Sequence, residues 1–147
     1  MKKTMFTKML PVLLLLTATL FAFTNKAISQ VTFSINASVN GNVNTGVFTS
    51  TGFALSSGDF FEEYSFNGKK THSEATFTFA NGTITAKTHS DVIITGPLTA
   101  TGSGTWKISK GTGAYTGIRG LGVLTYSVTG INTPAEHITQ AWSGTIY

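Results

Sequence analysis

Residues 73–95 read SEATFTFANGTITAKTHSDVIIT, and apolar and polar residues alternate on both sides of the Asn81-Gly82 pair. The alternate positions that carry apolar or small side chains are Ala75, Phe77, Phe79, Ile84 and Ala86. Successive side chains of a strand point to opposite faces of the sheet. Asn-Gly is typical of type I′ hairpin turns, in which both central residues have positive φ. The segment therefore predicts an antiparallel hairpin with one apolar face.

The same alternation recurs over most of the chain after residue 30. It is clearest in the segments VTFSINASV, GTWKIS, LTYSV and EHITQAWSGTIY, which begin at Val31, Gly104, Leu124 and Glu136. Asn40-Gly41 and Asn67-Gly68 add two further hairpin signals. Seven or eight strands at short spacing, with neither internal repeats nor a linker, predict one all-β domain. Its architecture is an antiparallel sandwich or a closed barrel.

The first residues have the composition of a signal peptide. Three lysines precede an apolar run of fourteen residues, 10–23, and Ala27 and Ser29 place small side chains before Gln30. A membrane-spanning helix needs about 20 apolar residues, whereas the core of a signal peptide has about 7 to 15. The sequence therefore predicts a cleaved signal peptide over residues 1–29 and a single domain over 30–147. The protein is expected to be secreted or periplasmic.

Charge and cysteine content exclude several classes of function. The chain has ten basic and six acidic side chains, but four of the lysines lie in the predicted signal peptide. The remaining charges balance and are scattered, whereas binding to a nucleic-acid backbone needs clustered cations, so nucleic acid is not an expected partner. The absence of cysteine excludes disulfides and thiol catalysis. The last strand is too polar to face lipid, so no stable membrane insertion is expected.

Neither a metal nor a cofactor is expected. His72, His89 and His137 stand in three separate segments, without the spacing of a zinc site. Residues 111–122, GTGAYTGIRGLG, are rich in glycine, but a dinucleotide-binding loop needs a glycine at its sixth position and a helix after it. The sixth position is Thr116 and the residues that follow predict a strand. The glycines are therefore expected to shape a sharp turn or a close approach of two chain segments.

The segment FFEEYSF leaves more than one interpretation open. Glu62 and Glu63 are adjacent, so a strand would point them to opposite faces. A pair of carboxylates for acid–base chemistry would therefore need a partner from elsewhere, such as Asp59. The aromatic residues of this segment, which either pack in the core or line a ligand pocket, are Phe60, Phe61, Tyr64 and Phe66.

Residues 104–126, GTWKISKGTGAYTGIRGLGVLTY, place a glycine-rich segment directly after a predicted strand, and residues 77–85 read FTFANGTIT. These two segments resemble the superfamily of dirigent proteins and allene oxide cyclases, especially its secreted bacterial members. The resemblance implies an antiparallel closed barrel of about eight strands with a pocket inside. It also implies assembly as a homotrimer.

The resemblance identifies few of the family's functional residues in this sequence. Arg119 matches an arginine that lies near the pocket of dirigent proteins, whereas Ala114 stands where those proteins often have an acid. The plant cyclases have a glutamate on the first strand, and residues 31–39 contain no carboxylate. The resemblance therefore implies the barrel more strongly than it implies either chemistry.

The expected function is binding of a small apolar ligand in the barrel, without covalent catalysis. Barrel mouths are frequent ligand sites, and an eight-stranded barrel can hold one small ligand. The candidate ligand-binding residues are Phe77, Phe79, Trp106, Tyr115 and Arg119. One alternative is an isomerase or cyclase like the enzymes of the family, which requires a buried acid or base. A further alternative is an extracellular surface protein with a solid core that binds glycan or another protein on its outer face, and a hollow pocket would disfavour it.

Overall fold

A computed structural model describes residues 28–147 of the protein. They form the strands β1 (Ser29–Asn40), β2 (Val43–Thr51), β3 (Ser57–Phe66), β4 (Lys70–Phe79), β5 (Gly82–Gly96), β6 (Thr99–Gly111), β7 (Gly120–Thr129) and β8 (His137–Ile146). Each strand pairs antiparallel with its neighbours in the sequence, and β1 also pairs with β8, so the sheet closes into a barrel. The predicted closed antiparallel barrel is confirmed. The predicted signal peptide lies, except for its last two residues, outside the described part of the chain.

Residues that alternate between apolar and polar in the sequence lie alternately inside and outside the barrel. In the β4–β5 hairpin, Phe77 lies opposite Ile84 and both side chains are buried, whereas Glu74 lies opposite Lys87 on the exposed face. The same holds where the barrel closes, because Phe33 of β1 lies opposite the buried Trp142 of β8. Burial of alternate apolar side chains thus fixes the register of each strand, since a slip by one residue would turn them to solvent.

The three Asn-Gly pairs lie at hairpin connections, as predicted, but the predicted type I′ geometry is wrong. Among residues 28–147, the only residue other than glycine with positive φ is Asn132. In the first connection, Gly41 alone takes the left-handed conformation, with φ of +63°. Asn40 pairs with Val43, so the two central residues of this turn are Gly41 and Asn42. Only Gly41, which adopts positive φ without steric cost, does so.

The up-and-down order of the strands divides their connections between two ends of the barrel. We call the end with connections 52–56, 80–81 and 112–119 the closed end. We call the end with connections 41–42, 67–69, 97–98 and 130–136 the open end. The helical element of the described residues is a single 3-10 turn at Gly113–Tyr115, and residues 28–147 contain no helix that could span a membrane.

Aromatic side chains fill the half of the interior next to the closed end. They are Phe33, Phe48, Phe53, Phe60, Phe77, Phe79, Trp106, Tyr115 and Trp142. The centroid of the Phe77 ring lies 4.3 Å from that of Phe33 and 5.1 Å from that of Trp142. Aromatic pairs at such distances stabilise a core by about 0.5–1.5 kcal/mol beyond the burial of their area. This half of the barrel is a packed core.

Candidate ligand-binding cavity

The half of the interior next to the open end is hollow. A cavity of about 840 Å³ lies there, which is within the ~300–1,000 Å³ typical of small-molecule pockets. Inner side chains from all eight strands line it, together with residues of the 130–136 connection. The cavity is open to solvent at the mouth, and the aromatic half of the barrel closes it below.

The wall of the cavity near its mouth is apolar. The side chains that form this wall are Val39, Phe66, Val92, Ile94, Val128 and Ile131. Phe66 and Ile94 are 49% and 61% exposed, so the rim also presents apolar surface to solvent. The alternation of the strands continues to the open end, but these side chains are too small or too far outward to fill the cross-section.

The floor of the cavity is a polar network centred on Glu62, and it consists of Asn44, Glu62, Ser73, Thr88 and Gln140. Glu62 is buried, with 6% of its surface exposed. Its Oε2 atom accepts hydrogen bonds from Asn44 Nδ2 at 2.8 Å and from Gln140 Nε2 at 2.6 Å. Its Oε1 atom accepts a hydrogen bond of 2.5 Å from Ser73 Oγ, which lies 2.6 Å from Thr88 Oγ1. Three donors therefore hold the carboxylate in one position.

Strand register brings the floor together from distant parts of the sequence. Asn44 lies directly opposite Glu62 in the β2–β3 pairing, and Ser73 lies directly opposite Thr88 in the β4–β5 pairing. Gln140 is 78 residues from Glu62 and belongs to β8, so its side chain reaches the carboxylate from another part of the barrel wall. The floor is thus a product of barrel closure and of no local motif.

Trp142 connects the floor to the aromatic core. Its ring stacks on Trp106 with 5.9 Å between centroids. Its Nε1 donates a hydrogen bond of 2.8 Å to Gln140 Oε1. This bond occupies the amide oxygen of Gln140 and leaves the amide nitrogen facing Glu62. The packed half of the barrel therefore sets the orientation of a group in the floor.

Further polar groups on the cavity surface have capacity to bind a ligand. The Thr71 hydroxyl lies 2.8 Å from Ser90 Oγ and 3.0 Å from the Tyr126 hydroxyl, and hydroxyls both donate and accept hydrogen bonds. Asn44 Oδ1 is buried and has no hydrogen-bond partner among the described residues. A buried acceptor without a partner costs about 1–3 kcal/mol, so the floor contains one unsatisfied acceptor at Asn44.

The charges of the cavity are all negative. Glu62 and Glu136 line it, and no lysine, arginine or histidine of residues 28–147 does. At the mouth, Glu136 Oε2 accepts a hydrogen bond of 2.8 Å from the backbone N–H of Asn132. Burial raises the pKa of Tyr64 above its usual value, and the neighbouring carboxylates Glu136 and Glu62 raise it further. The described residues contain no cluster of three or more His, Asp or Glu side chains that could hold a metal ion.

The five side chains predicted to bind a ligand lie at the closed end. Phe77, Phe79, Trp106 and Tyr115 are buried in the aromatic half, and Arg119 is exposed in the connection between β6 and β7. The structure brings the four aromatic rings into one core, but none of the five side chains lines the cavity. A different set of residues surrounds the hollow. The role of the five side chains in ligand binding stays a prediction.

The glycine-rich residues 111–122 seal the closed end. Tyr115 turns its ring inward, 4.7 Å from the centroid of Phe79, while Gly113 takes a φ of +59° that favours glycine. The Trp106 ring lies so close to Gly122 that a Cβ atom there would be 2.7 Å from it. The prediction that these glycines shape a sharp turn and a close approach is confirmed.

Most of the floor carries no motif that sequence reasoning recognises. The signal that identifies such residues is a polar side chain at an inward position of an alternating strand. Gln140 is one example, since it lies between the buried Ile138 and Trp142. The predicted opposite orientation of Glu62 and Glu63 is confirmed, with Glu62 buried and Glu63 exposed.

Comparison with protein-family models, with curated proteins and with solved structures finds no match to this chain. The resemblance to dirigent proteins and allene oxide cyclases therefore stays a prediction.

Proposed function

We propose that this protein is a β-barrel that binds one small, largely apolar molecule in the cavity at its open end, without covalent catalysis. The observation that carries the proposal is a hollow of about 840 Å³ in a barrel whose other half is packed with aromatic rings. Side chains can fill an eight-stranded barrel, or the barrel can hold one small ligand. Here they fill only half of the interior.

The lining favours a ligand with an apolar body and one polar end. Ligand pockets combine apolar walls with a few polar groups that fix orientation. Val92 and Val128 on the wall and Glu62 in the floor provide this combination. The ligand would place its apolar body toward the mouth and its polar end on the floor. A surface protein that binds glycan on its outer face does not need this hollow, so the cavity counts against that alternative.

Native mass spectrometry tests the proposal on the protein as its own host produces it. Spectra are recorded on the intact protein and again after denaturation. We expect a small-molecule mass that is present in the first spectrum and lost in the second. A bare protein mass, with no shift after addition of mixtures of apolar molecules that carry acidic, neutral or basic polar ends, would overturn the proposal.

A matched pair of variants connects the bound mass to the cavity. Ala100 is buried on the cavity wall, whereas Thr101, the next residue of β6, is exposed on the outer face. Ala100→Phe places a ring in the hollow, and we expect the bound mass to disappear. Thr101→Phe adds the same ring outside and should leave the bound mass unchanged. An Ala100→Phe protein that still carries the molecule would place the ligand elsewhere.

The sequence supports three further parts of the proposal: export after cleavage before Gln30, membership of the dirigent and allene oxide cyclase superfamily, and assembly as a homotrimer. The same spectra test export and assembly. Export predicts that the denatured protein has the mass of a polypeptide that begins at Gln30. The family resemblance predicts that the intact protein has the mass of a trimer. A clean monomer would count against the resemblance.

A cyclase or isomerase is the second candidate function, and the burial of Glu62 in the cavity favours it. General acid–base catalysis needs a titratable side chain within hydrogen-bond reach of the substrate. Glu62, with the hydroxyl of Ser73 bonded to it, could transfer a proton to or from a ligand on the floor.

An isomerase converts its substrate into a product of equal mass, so chromatography of the released molecule is the appropriate measurement. If the barrel is an enzyme, chromatography of the molecule released from the wild-type protein shows the product. The Glu62→Gln protein cannot convert its substrate, so the molecule released from it is the substrate. Glu63→Gln makes the same change on the outer face and serves as the control. Release of the same single molecule from all three proteins would support binding without catalysis.

A further inference from the structure

We propose that the ligand of the cavity is a cationic amphiphile, an apolar body with a protonated amine that lies against Glu62 at the floor. The inference rests on the function proposed above and names the chemical class of its ligand. Three features of the cavity carry it: a buried carboxylate without a cation, spare acceptors in the floor, and a second carboxylate at the mouth.

Glu62 is a buried carboxylate whose partners in the protein are all neutral. Asn44, Gln140 and Ser73 each donate a hydrogen bond to it. Within residues 28–147, the salt bridge of the structure joins Lys70 to Asp91, and both of those side chains are exposed. Buried charges in proteins are normally paired with an opposite charge or coordinate a metal. The described part of the chain supplies no counter-ion to Glu62, and the ammonium group of a ligand would supply it.

The hydrogen-bond capacity of the floor points to a donor on the ligand. Glu62 Oε2 accepts two hydrogen bonds and Oε1 accepts one, so Oε1 retains room for another donor. Asn44 Oδ1 has no partner among the described residues. A primary ammonium group donates three hydrogen bonds and accepts none, and therefore matches a floor with spare acceptors. A carboxylate or phosphate on the ligand would add only acceptors and negative charge.

The charged residue that lines the cavity at its entrance has the same sign of charge as the floor, whereas Lys69 and Lys70 lie at the open end without lining the cavity. Glu136 belongs to the 130–136 connection at the open end and lines the cavity. No basic side chain of residues 28–147 lines the path between Glu136 and Glu62. A cleft lined by charges of one sign attracts ligands of the opposite sign and repels those of the same sign. Cations are thus favoured at the mouth as well as at the floor.

The apolar wall requires more than a small inorganic cation. Val92, Val128 and Ile131 stand between the mouth and the polar floor, and a metal or ammonium ion would leave their surfaces uncovered. An alkyl or ring system attached to the amine would cover them and gain the free energy of burying apolar area. The ligand class is therefore an amphiphilic amine.

Three probes of equal chain length test the ligand class: octylamine, octanol and octanoate. At neutral pH the amine is protonated and the acid is ionised, so the probes differ in the charge of the polar end. Isothermal titration calorimetry of each probe with the wild-type protein measures the affinities. We expect octylamine to bind about tenfold more tightly than octanol, or better, because charge-assisted hydrogen bonds are about twice as strong as neutral ones. Octanoate should bind most weakly.

The outcomes separate this inference from the function on which it rests. If octanol and octanoate bind as tightly as octylamine, the cavity holds apolar ligands and the amine recognition is wrong. If none of the three probes binds, the proposed function is wrong together with the inference. Both conclusions come from the wild-type protein, so they do not depend on whether a variant folds.

A pair of variants then assigns the preference to one carboxylate. Glu62→Gln removes the buried charge with little change of shape, and Glu63→Gln makes the same change on the outer face of the same strand. We expect Glu62→Gln to lower the affinity for octylamine about tenfold or more and to retain octanol binding, which also shows that the variant is folded. Glu63→Gln should bind both probes like the wild type. Undiminished octylamine binding by a folded Glu62→Gln protein would overturn the inference.

Discussion

The two halves of the barrel interior share the same eight strands and the same alternation, yet one half is solid and the other is hollow. Near the closed end the inward positions hold large rings, such as Phe33, Phe77 and Trp106. Near the open end they include small side chains, such as Ala100 and Thr88, and the rings of Tyr64, Phe66 and Tyr126 line the cavity without filling it. An eight-stranded barrel is just wide enough for side chains to fill. The packing of rings against one another therefore distinguishes the core from the cavity.

This difference separates the packed source of stability from the proposed site of binding. The packed half buries apolar rings and holds the strands in register. The hollow half can then keep groups that a core would not tolerate, among them the Glu62 carboxylate and the unpartnered Asn44 Oδ1. Trp142 lies at the boundary, with its ring in the core and its Nε1 bonded to the floor.

Removing one ring from each half gives the largest expected difference between them. Phe77 is buried and its ring contacts those of Phe33, Phe48 and Trp142. We expect Phe77→Ala to lower the free energy of unfolding by about 3–5 kcal/mol. Phe66→Ala removes the same atoms from the exposed rim of the cavity and should cost less than ~1 kcal/mol. Urea denaturation measures both, and equal losses would contradict the division of the interior into core and cavity.

Cutting the connection between the halves should have an intermediate effect. Trp142→Phe keeps an aromatic ring and removes the donor to Gln140 Oε1. We expect a loss of about 1–3 kcal/mol in the free energy of unfolding, because a buried acceptor is left without its partner and the smaller ring leaves a cavity in the core. The same substitution in a Gln140→Met background is the control, since no amide oxygen remains to be stranded. If Trp142→Phe costs as much in the Gln140→Met background as in the wild type, the hydrogen bond does not couple the halves.

The negative charge of the hollow half predicts a smaller effect, on the ionisation of Tyr64. Its pKa is raised by burial first and then by Glu136 and Glu62. Since the folded protein favours the neutral phenol, this contribution to stability is full below the ordinary pKa of 10.0 and is lost as the pH rises through the raised pKa. We expect Glu136→Gln to lower the pKa of Tyr64, as measured by titration of its ring resonances in NMR spectra. Glu63→Gln, on the outer face, should leave it unchanged, and equal values in both variants would argue against a field inside the cavity.

The sequence predicts the strands well because alternation is a local signal. Phe77 and Phe79, or Trp106 and Ile108, need only their neighbours two residues away to indicate an inward face. Closure of the barrel follows from burying that face around eight strands. The glycines of residues 111–122 are likewise local, since a sharp turn requires them wherever the rest of the chain lies.

The site is less predictable because alternation separates inside from outside but says nothing of the level along the barrel axis. Phe77 and Ser73 both lie on the inner side of β4, one in the core and the other in the cavity floor. Their levels depend on the register of every strand in the barrel. In β3, aromatic residues at both Phe60 and Phe61 leave the inward face ambiguous, so that Glu62 and Glu63 cannot be told apart by pattern alone.

The smallest expected effect concerns Asp91 on the outer surface, a carboxylate that is exposed and paired with a lysine, whereas Glu62 is buried and has no cationic partner among the described residues. Lys70 Nζ lies 2.9 Å from Asp91 Oδ1, and the two side chains are 46% and 71% exposed. The hydrogen bond from Lys70, and then its charge, lowers the pKa of Asp91. This contribution to stability is therefore present above the ordinary pKa of aspartate and is lost as the pH falls through the lowered value.

Because water screens exposed ion pairs, we expect Lys70→Met to return the pKa of Asp91 toward its usual range without a measurable change in the unfolding midpoint at neutral pH. NMR titration of the Asp91 carboxyl group measures its pKa, and urea denaturation measures the unfolding midpoint. Lys87→Met controls for the loss of a surface cation, since Lys87 lies on the same strand and the same face as Asp91. A clear loss of stability in Lys70→Met alone would show that the barrel depends on its surface charges. Stability that stays unchanged would mean that the barrel tolerates the loss of an exposed cation from its outer surface.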